Sequence, residues 1–429
     1  MTPVGRVLIV VHNLPVPFDR RVWHECRALR AAGFAVSVVC PKGDGDPAYA
    51  ELEGVRLRKY TPPRPGSGPL SFAWEFGWSM LRTIVLVART TCAEGFDAIQ
   101  VCNPPDTYVP LVAPLRLLGR PVVFDQHDLS PEIFSSRYDR SSGVLLGTLL
   151  LCERMSYALA SHVVSTNESY RAVALRRGKC RPQDVTVVRN GPDTTRMRPT
   201  GARPELRHGR RYLCCYLGIM GPQDGVDLLL RAFAVLVHDR GREDCHLALL
   251  GYGESLPGLR ELARTLDLLD LVTFTGKVDD ATIEAYLSTA DLGLCPDPYS
   301  PLNDISTMIK VMEYLAYGLP VVAFDLKETR VSAQDAAVYV EPDDVGEFAD
   351  AVGALLDDPV RRRSMAIMAR QRAVEVLDWR LQARQYVGLY RSLLGQTASA
   401  AGSISTWRRV RSAVSRRNAP ACGGRAGEP

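Results

Sequence analysis

The sequence predicts an α/β protein of two doubly wound, Rossmann-like domains facing each other across a cleft. Three observations carry this. Short β-branched runs alternate with segments of helical spacing from the N-terminus to about residue 188. The same rhythm restarts at Tyr212. Between the two series lies segment 191–210, rich in Pro, Gly and Arg, the best linker candidate.

Residues 7–11 are a β-branched run that reads as a buried strand. Residues 20–32 place Val22, Cys26 and Leu29 at helical spacing and stop at Gly33. Residues 35–40 are a second apolar strand, closed by Pro41. Strand, helix and strand of these lengths make a βαβ unit, hence a parallel sheet. Further strands are expected at 98–101, 122–125, 163–165 and 185–188, with helices at 106–118 and 144–160. Asn190-Gly191-Pro192-Asp193 is a turn. The second series has strands at 212–217, 246–250, 272–274, 292–295, 321–324 and 337–340. Its helices are expected at 225–237, 257–265, 281–289, 306–317 and 345–356. Open α/β sheets bind ligands at the carboxyl ends of their strands, so the cleft is the expected site.

Length and composition agree. A chain of 429 residues suits two domains. Hydrophobic residues at 46% and charged residues at 23% are the mix of a folded, soluble protein. The net charge of +4 is uneven. Residues 398–429 hold Arg408, Arg409, Arg411, Arg416, Arg417 and Arg425 against Glu428 alone, so the body has 46 basic and 47 acidic residues. A near-neutral body argues against nucleic acid as a partner. Eleven scattered cysteines with no C-x-x-C pair make neither a disulfide framework nor a zinc set. The five-residue apolar run near the N-terminus is too short for a signal sequence, and no stretch reaches 18 apolar residues. A reduced, cytoplasmic protein is expected.

The most informative segment runs from Asn303 to Pro320. Ser306 or Thr307 is expected to cap a helix that ends at Gly318. Its cap follows a strand and a loop, so the amides of Ser306, Thr307, Met308 and Ile309 would open on the cleft. Unpaired amides and the positive end of the dipole suit a diphosphate. Lys310 would add a full charge in the first turn, and Glu313, farther along, could accept hydrogen bonds from ribose hydroxyls. The plain alternative is a capped amphipathic helix with an exposed Lys and Glu.

Lys310-x-x-Glu313-Tyr-Leu-Ala-x-Gly318-x-Pro320-Val-Val resembles the nucleotide-sugar motif of the family 4 retaining glycosyltransferases, which have the GT-B fold. Other stretches agree in order: Arg21-Val-Trp-His-Glu-Cys-Arg, Gln126-His127-Asp128, Asn190-Gly191-x-Asp193, Gly225-Val226-Asp227, Leu249-Leu250-Gly251-x-Gly253 and Phe274-x-Gly276. The resemblance spans roughly residues 4–395. It implies an acceptor-binding domain at 1–198, a nucleotide-sugar domain at 199–375 and terminal helices at 376–397 that cross back to the first domain. A basic, flexible tail at 398–429 would follow. It implies sugar transfer from a nucleoside diphosphate sugar with retention, and no required metal. The Asp44-x-Asp46 pair reads as solvated. His127 would match the family histidine near the donor sugar, with Lys310 as its partner in catalysis. Gly221, Asp304 and the 306–313 segment would hold the donor. His12, Asn13, Arg20, Arg21 and Asp128 would lie on the acceptor side. Gly251-Tyr-Gly253 alone is a weak phosphate signal and reads as a strand-end turn.

This chain departs from the family pattern in three places. The family's acid eight residues before Glu313 is Ile305, and Asp304 or Asn303 could substitute only with a one-residue shift of the loop. The family's Arg and Lys after the first donor-domain strand are Ile219 and Asp224. Its N-terminal Gly-Gly loop is replaced by Pro17-Phe-Asp-Arg20-Arg21, whose arginines could supply charge from across the cleft or be a solvated helix start.

Two segments suggest contact with an anionic membrane and a lipid-linked or saccharide acceptor at the inner face of the cell membrane. Phe72, Trp74, Phe76 and Trp78 suit a lipid interface or a buried helix. Ile404, Trp407, Val410 and Val414 share one face of a basic amphipathic segment, with a disordered tail as the alternative. A dehydrogenase would need G-x-G-x-x-G after the first strand, and Val11-His-Asn-Leu-Pro-Val-Pro has none. A nucleotide-sugar epimerase or a partner subunit that has lost catalysis remain rivals.

Overall fold

The computed structural model describes residues 3–63, 69–138 and 143–395. The first sheet holds β1 (Arg6–Val11), β2 (Ala35–Pro41), β3 (Tyr49–Leu52), β4 (Val55–Tyr60), β5 (Ala98–Cys102), β6 (Val122–Gln126), β7 (His162–Ser165) and β8 (Val185–Val187). Their order is β3-β4-β2-β1-β5-β6-β7-β8, parallel except for β3 against β4. The helices are α1 (Arg20–Ala31), α2 (Pro69–Ala93), α3 (Val109–Leu117), α4 (Ser130–Tyr138), α5 (Val144–Leu159) and α6 (Glu168–Arg176). β5, β6 and β7 are buried along their whole length, as strands covered on both faces must be. Met80 and Val87 of α2, Leu111 and Val112 of α3, Tyr157 of α5 and Ala174 of α6 share one core with β1, β5 and β6. These four helices therefore layer one face of the sheet.

The second sheet holds β9 (Tyr212–Leu217), β10 (Cys245–Leu250), β11 (Val272–Gly276), β12 (Leu292–Cys295), β13 (Val321–Phe324) and β14 (Ala337–Val340). All are parallel, in the order β11-β10-β9-β12-β13-β14. Around them pack α7 (Val226–Ala234), α8 (Leu256–Thr265), α9 (Asp280–Thr289), α10 (Ile309–Ala316), α11 (Lys327–Ala333), α12 (Val345–Asp357) and α13 (Pro359–Arg372). The side-chain period of a strand is plain in β9. Tyr212, Cys214 and Tyr216 join the core under α7 and α12, while Leu213, Cys215 and Leu217 join the core under α10.

Several elements depart from the sequence-based expectation. The hairpin β3–β4 has no expected counterpart, because VRLRKY alternates apolar and charged residues at a sheet edge. Its turn, Glu53-Gly54, has both φ angles positive (49° and 76°), the geometry that matches hairpin twist. α4, α6, α11 and α13 were also not expected. The helix expected from 306 begins at Ile309. The tail with Ile404, Trp407, Val410 and Val414, and the side chain of Phe72, lie outside the described residues.

The last helix, α14 (Trp379–Leu393), follows α13. The chain from Gly388 onward separates as a second compact unit, whose described part is the end of α14. Before that point α14 meets the linker. Trp379 donates its amide to Pro192 O (2.9 Å), and Thr194 Oγ1 bonds Asp378. A Cβ on Gly191 would stand 1.8 Å from Leu377 O, so only glycine fits this crossing. Trp379 also packs on His24 with the rings tilted (centroids 5.4 Å apart), and Tyr386 Oη donates to Gln100 Oε1 (2.6 Å).

Strand order reverses between β1 and β5 in the first sheet and between β9 and β12 in the second. The loops after these four strands form the topological switch points, where an open sheet leaves room for a ligand.

Candidate functional site

The loop after β12 leads into α10 at the second switch point. Tyr314 fixes the helix there: its hydroxyl donates to Leu294 O of β12 (3.2 Å) and accepts from Leu217 N of β9 (2.8 Å). Gly293 leaves room for the ring, since a Cβ there would lie 2.5 Å from it. Met308, not Ser306 or Thr307, occupies the cap position, and no side chain caps the helix. Among the described residues no acceptor meets the amides of Ile309 and Lys310. Helix geometry aims such amides outward along the axis, with the positive dipole end.

Lys310 does not present a free charge. Its Nζ is buried and bonds both carboxylate oxygens of Asp297 (2.8 and 2.9 Å), with Asp224 3.7 Å away and the Tyr216 ring beneath it (4.8 Å). The surrounding carboxylates hold its pKa well above the ordinary lysine value, against burial. Asp224 also accepts from Gly221 N (3.0 Å), which folds the loop after β9 back on itself. Ile219 is exposed. The loop is pinned from the side by Gly251, where a Cβ would fall 1.8 Å from Gly218 O, and by Gly253 against Met220 O. Gly251-Tyr-Gly253 is thus a turn shaped by close packing.

On the first domain, His127 follows β6. Its amide donates to Asn103 Oδ1 (2.7 Å), and Nε2 meets Asp125 Oδ2 at 2.6 Å. The Asp125 carboxylate raises the imidazole pKa to about 9, overcoming burial, so the ring is a cation at neutral pH. Behind it, Arg21 bonds Asp125 (2.8 Å), Glu25 (3.2 Å), Val188 O (2.9 Å) and Asn190 Oδ1 (2.5 Å). Arg21 is therefore a buried clasp between α1, β6 and the linker, and not a cation reaching across the cleft. Burial and the nearby Asp125 push Glu25 up to about 8. Asp128 is partly buried, and desolvation raises its pKa.

The two lobes touch around α10. Arg20 of α1 bonds Asp280 (2.7 Å) and reaches Glu313 (3.5 Å). Asn167, which caps α6, donates Nδ2 to Ile305 O and to Thr307 Oγ1 (2.9 Å each). Tyr170 Oη meets Ser306 Oγ (3.0 Å), and Ser306 in turn donates to Leu302 O (2.7 Å). Ser306 and Thr307 thus serve the contact between the lobes. Ile305 packs on Leu129, Tyr170 and Val173. The position where the family pattern has an acid is an apolar plug between the domains. Asp304 accepts from Lys327 N (2.9 Å) at the start of α11, a structural use. Burial pushes Glu313 up to about 7, while Arg20 pulls it down.

His12 faces into its own domain: Nε2 pairs with Thr83 Oγ1 (2.7 Å) and the ring packs on Tyr108 (4.8 Å). Burial lowers its pKa to about 4, so it is neutral. Asn13 is exposed at the carboxyl end of β1. Asp44 is exposed as expected, and the partly exposed Asp46 also bonds Lys59 (2.6 Å). Asn167, Tyr170 and Asp297 escaped the sequence reading. Their one signal is position, each lying within a few residues of a strand's carboxyl end.

Cys102, Asp125 and His127 have ligand atoms close enough for a metal. The Asp125 oxygens are already taken by Arg21, His127 and Gln100 (3.1 Å), so a cation there would displace or oppose Arg21. A surface pocket lined by Pro199, Tyr317, Gly318 and Arg370 lies at the other end of α10 and away from these groups.

Residues 19–196 match the family model described as Glycosyltransferase Family 4, and residues 211–358 match the one described as Glycosyl transferases group 1. The chain is 28% identical over 411 residues to a glycogen synthase of Mycobacterium tuberculosis, covering 90% of this chain and 94% of the relative. Among solved structures it resembles sucrose-phosphate synthase from Thermosynechococcus elongatus (TM-score 0.74, 20% identity, 92% of this chain and 100% of that one). It also resembles Anabaena HepE in complex with UDP-glucose (TM-score 0.67, 17% identity, 90% of this chain and 100% of that one). The two-domain architecture is that of the GT-B fold.

Proposed function

The chain belongs to the family 4 and group 1 glycosyltransferases, and from that premise we propose that it transfers a sugar from a nucleoside diphosphate sugar to a saccharide or lipid-linked acceptor. The transfer retains the anomeric configuration and serves cell-surface polysaccharide or glycolipid synthesis. The observation that carries this reading is the uncapped start of α10, where two amides meet no acceptor among the described residues, set at the switch point against the lobe that holds His127. The binding of UDP-glucose by the structural relative HepE supports a nucleotide-sugar donor.

In this reading the bond from the anomeric carbon to the diphosphate breaks, and its electron pair leaves with the nucleotide. The acceptor oxygen bonds the same face, and its proton passes to the leaving phosphate. Charge grows on the diphosphate as the bond breaks. The Ile309 and Lys310 amides meet it in place, stabilising the transition state more than the ground state. Glu313 takes the ribose hydroxyls. The His127 imidazolium, steadied by Asp125, faces the donor sugar. Contacts between the lobes exclude water, which would otherwise hydrolyse the donor. Amides and fixed cations make a divalent metal unnecessary. We place the reaction at the cytoplasmic face of the membrane, a reducing compartment with which the ten free thiols among the described residues agree.

Turnover of a panel of UDP-, GDP- and ADP-sugars in the presence of EDTA tests this. Acceptor-dependent nucleotide release with an anomer-retained product is expected. Donor binding with neither transfer nor hydrolysis would sink the reading.

A pH experiment tests Glu313. The ionised carboxylate is the stronger acceptor for the ribose hydroxyls, so donor affinity should rise through about pH 7, where the buried carboxyl titrates. Arg20 pulls that value down. In Arg20→Ala the rise should therefore move to higher pH, and an unmoved profile would show that Glu313 does not contact the donor. The sign for stability is opposite: a raised carboxyl pKa costs stability as pH climbs from 4.5 through about 7.

A further inference from the structure

The outer surface of the helical layer on the first domain is apolar where a soluble surface would be polar. α2, α3 and α5 share one inner core, so their exposed side chains lie on the same outer side of the sheet. On α5, Val144 is 90% exposed, with Leu145 and Leu151 above 50%. Leu117 and Leu118 at the end of α3 are 89% and 77% exposed. On α2, Trp74 and Leu81 are more than half exposed, and Trp74 stacks on Trp78. Apolar side chains this large and this numerous on one layer mark a contact surface.

Charge identifies the occupant. α2, α3 and α5 together carry Arg82, Arg89, Arg116 and Arg154. Their acids are Glu75 and Glu153, and Glu153 is buried against Arg177. A second copy of this chain on the same face would set arginine against arginine. A bilayer with anionic headgroups instead meets the arginines while the leucines and tryptophans enter the interface. Topology adds a location. α2 follows β4, and α5 leads back into the amino end of the parallel strand β7, so both begin on the carboxyl side of the sheet, the side that carries His127 and Asn13.

We propose that the α2–α3–α5 face of the first domain docks on an anionic membrane and sets the acceptor side of the cleft at the lipid surface. The docking stands independently of the transfer reaction, because vesicle binding is read without any donor.

The test uses the full chain and flotation with vesicles of phosphatidylcholine alone or with about 30% phosphatidylglycerol, a fraction giving an anionic surface that salt can screen. The chain should float with the anionic vesicles, and binding should fall as salt rises. Leu145→Glu with Leu151→Glu, and separately Trp74→Glu, should lower partitioning by at least about tenfold, a loss of ~1.4 kcal/mol per variant. Thermal midpoint and donor turnover on a soluble acceptor should not change. Arg116→Glu with Arg154→Glu should cut binding to anionic vesicles selectively. Equal flotation of wild type and variants, or none for wild type, overturns the proposal. So does a wild-type dimer that these substitutions convert to monomer, which would make the face a self-interface. Loss of flotation with transfer intact supports docking, whereas loss of transfer in wild type would strike only the reaction assigned above.

Discussion

Replacing His127 by alanine is expected to lower turnover by about 10²- to 10³-fold, the size of effect seen when one preorganised electrostatic contact is removed. The ring is held as a cation by Asp125, and Arg21 and Gln100 hold Asp125 in turn. His127 Nδ1 has no partner among the described residues, which leaves one N–H for the substrate. The raised pKa of about 9 adds a signature. Wild-type activity should fall as pH climbs through about 9, and this limb should vanish in the alanine variant. The ion pair's contribution to stability has the same sign: it is complete below about pH 6.5 and is lost as pH rises through about 9. Activity within threefold of wild type, with an unchanged pH profile, would reduce His127 to a structural residue.

Lys310 carries the second large effect, and here folding and chemistry must be separated. Lys310→Ala leaves Asp297 buried without its counter-ion, which is expected to cost about 3–5 kcal/mol of stability. Turnover should fall at least about tenfold, or ~1.4 kcal/mol of transition-state stabilisation. The double variant Lys310→Met with Asp297→Asn removes the charge and its partner together. Its thermal midpoint should return towards wild type while turnover stays low. If the double variant turns over normally, Lys310 serves only to bridge the loops after β9 and β12. Asp224 makes this comparison sharper. It stands where the family pattern has a lysine, and it faces Lys310 at 3.7 Å. Burial raises its pKa and the lysine lowers it.

The order of elements was legible because periodicity reports burial directly. Runs such as residues 212–217 are apolar throughout, since helices cover both faces of a parallel strand. The hairpin β3–β4 was illegible for the converse reason, an edge strand with charges alternating along it. The start of α10 was misjudged by two to three residues. Ser306 and Thr307 have the chemistry of caps, but Tyr170 and Asn167 claim their hydroxyls from a region more than 130 residues away.

By itself the sequence indicated two parallel α/β series and the place of the helix that follows β12. These follow from local pattern, which every stretch of chain carries within itself. Only the tertiary structure decided where the charges stand. Arg21 and Lys310 look alike in sequence, as cations near helix starts, yet the fold pairs both with buried carboxylates from distant strands and loops. A charge spends its field on its nearest partner, and which partner is nearest is a property of the assembled molecule.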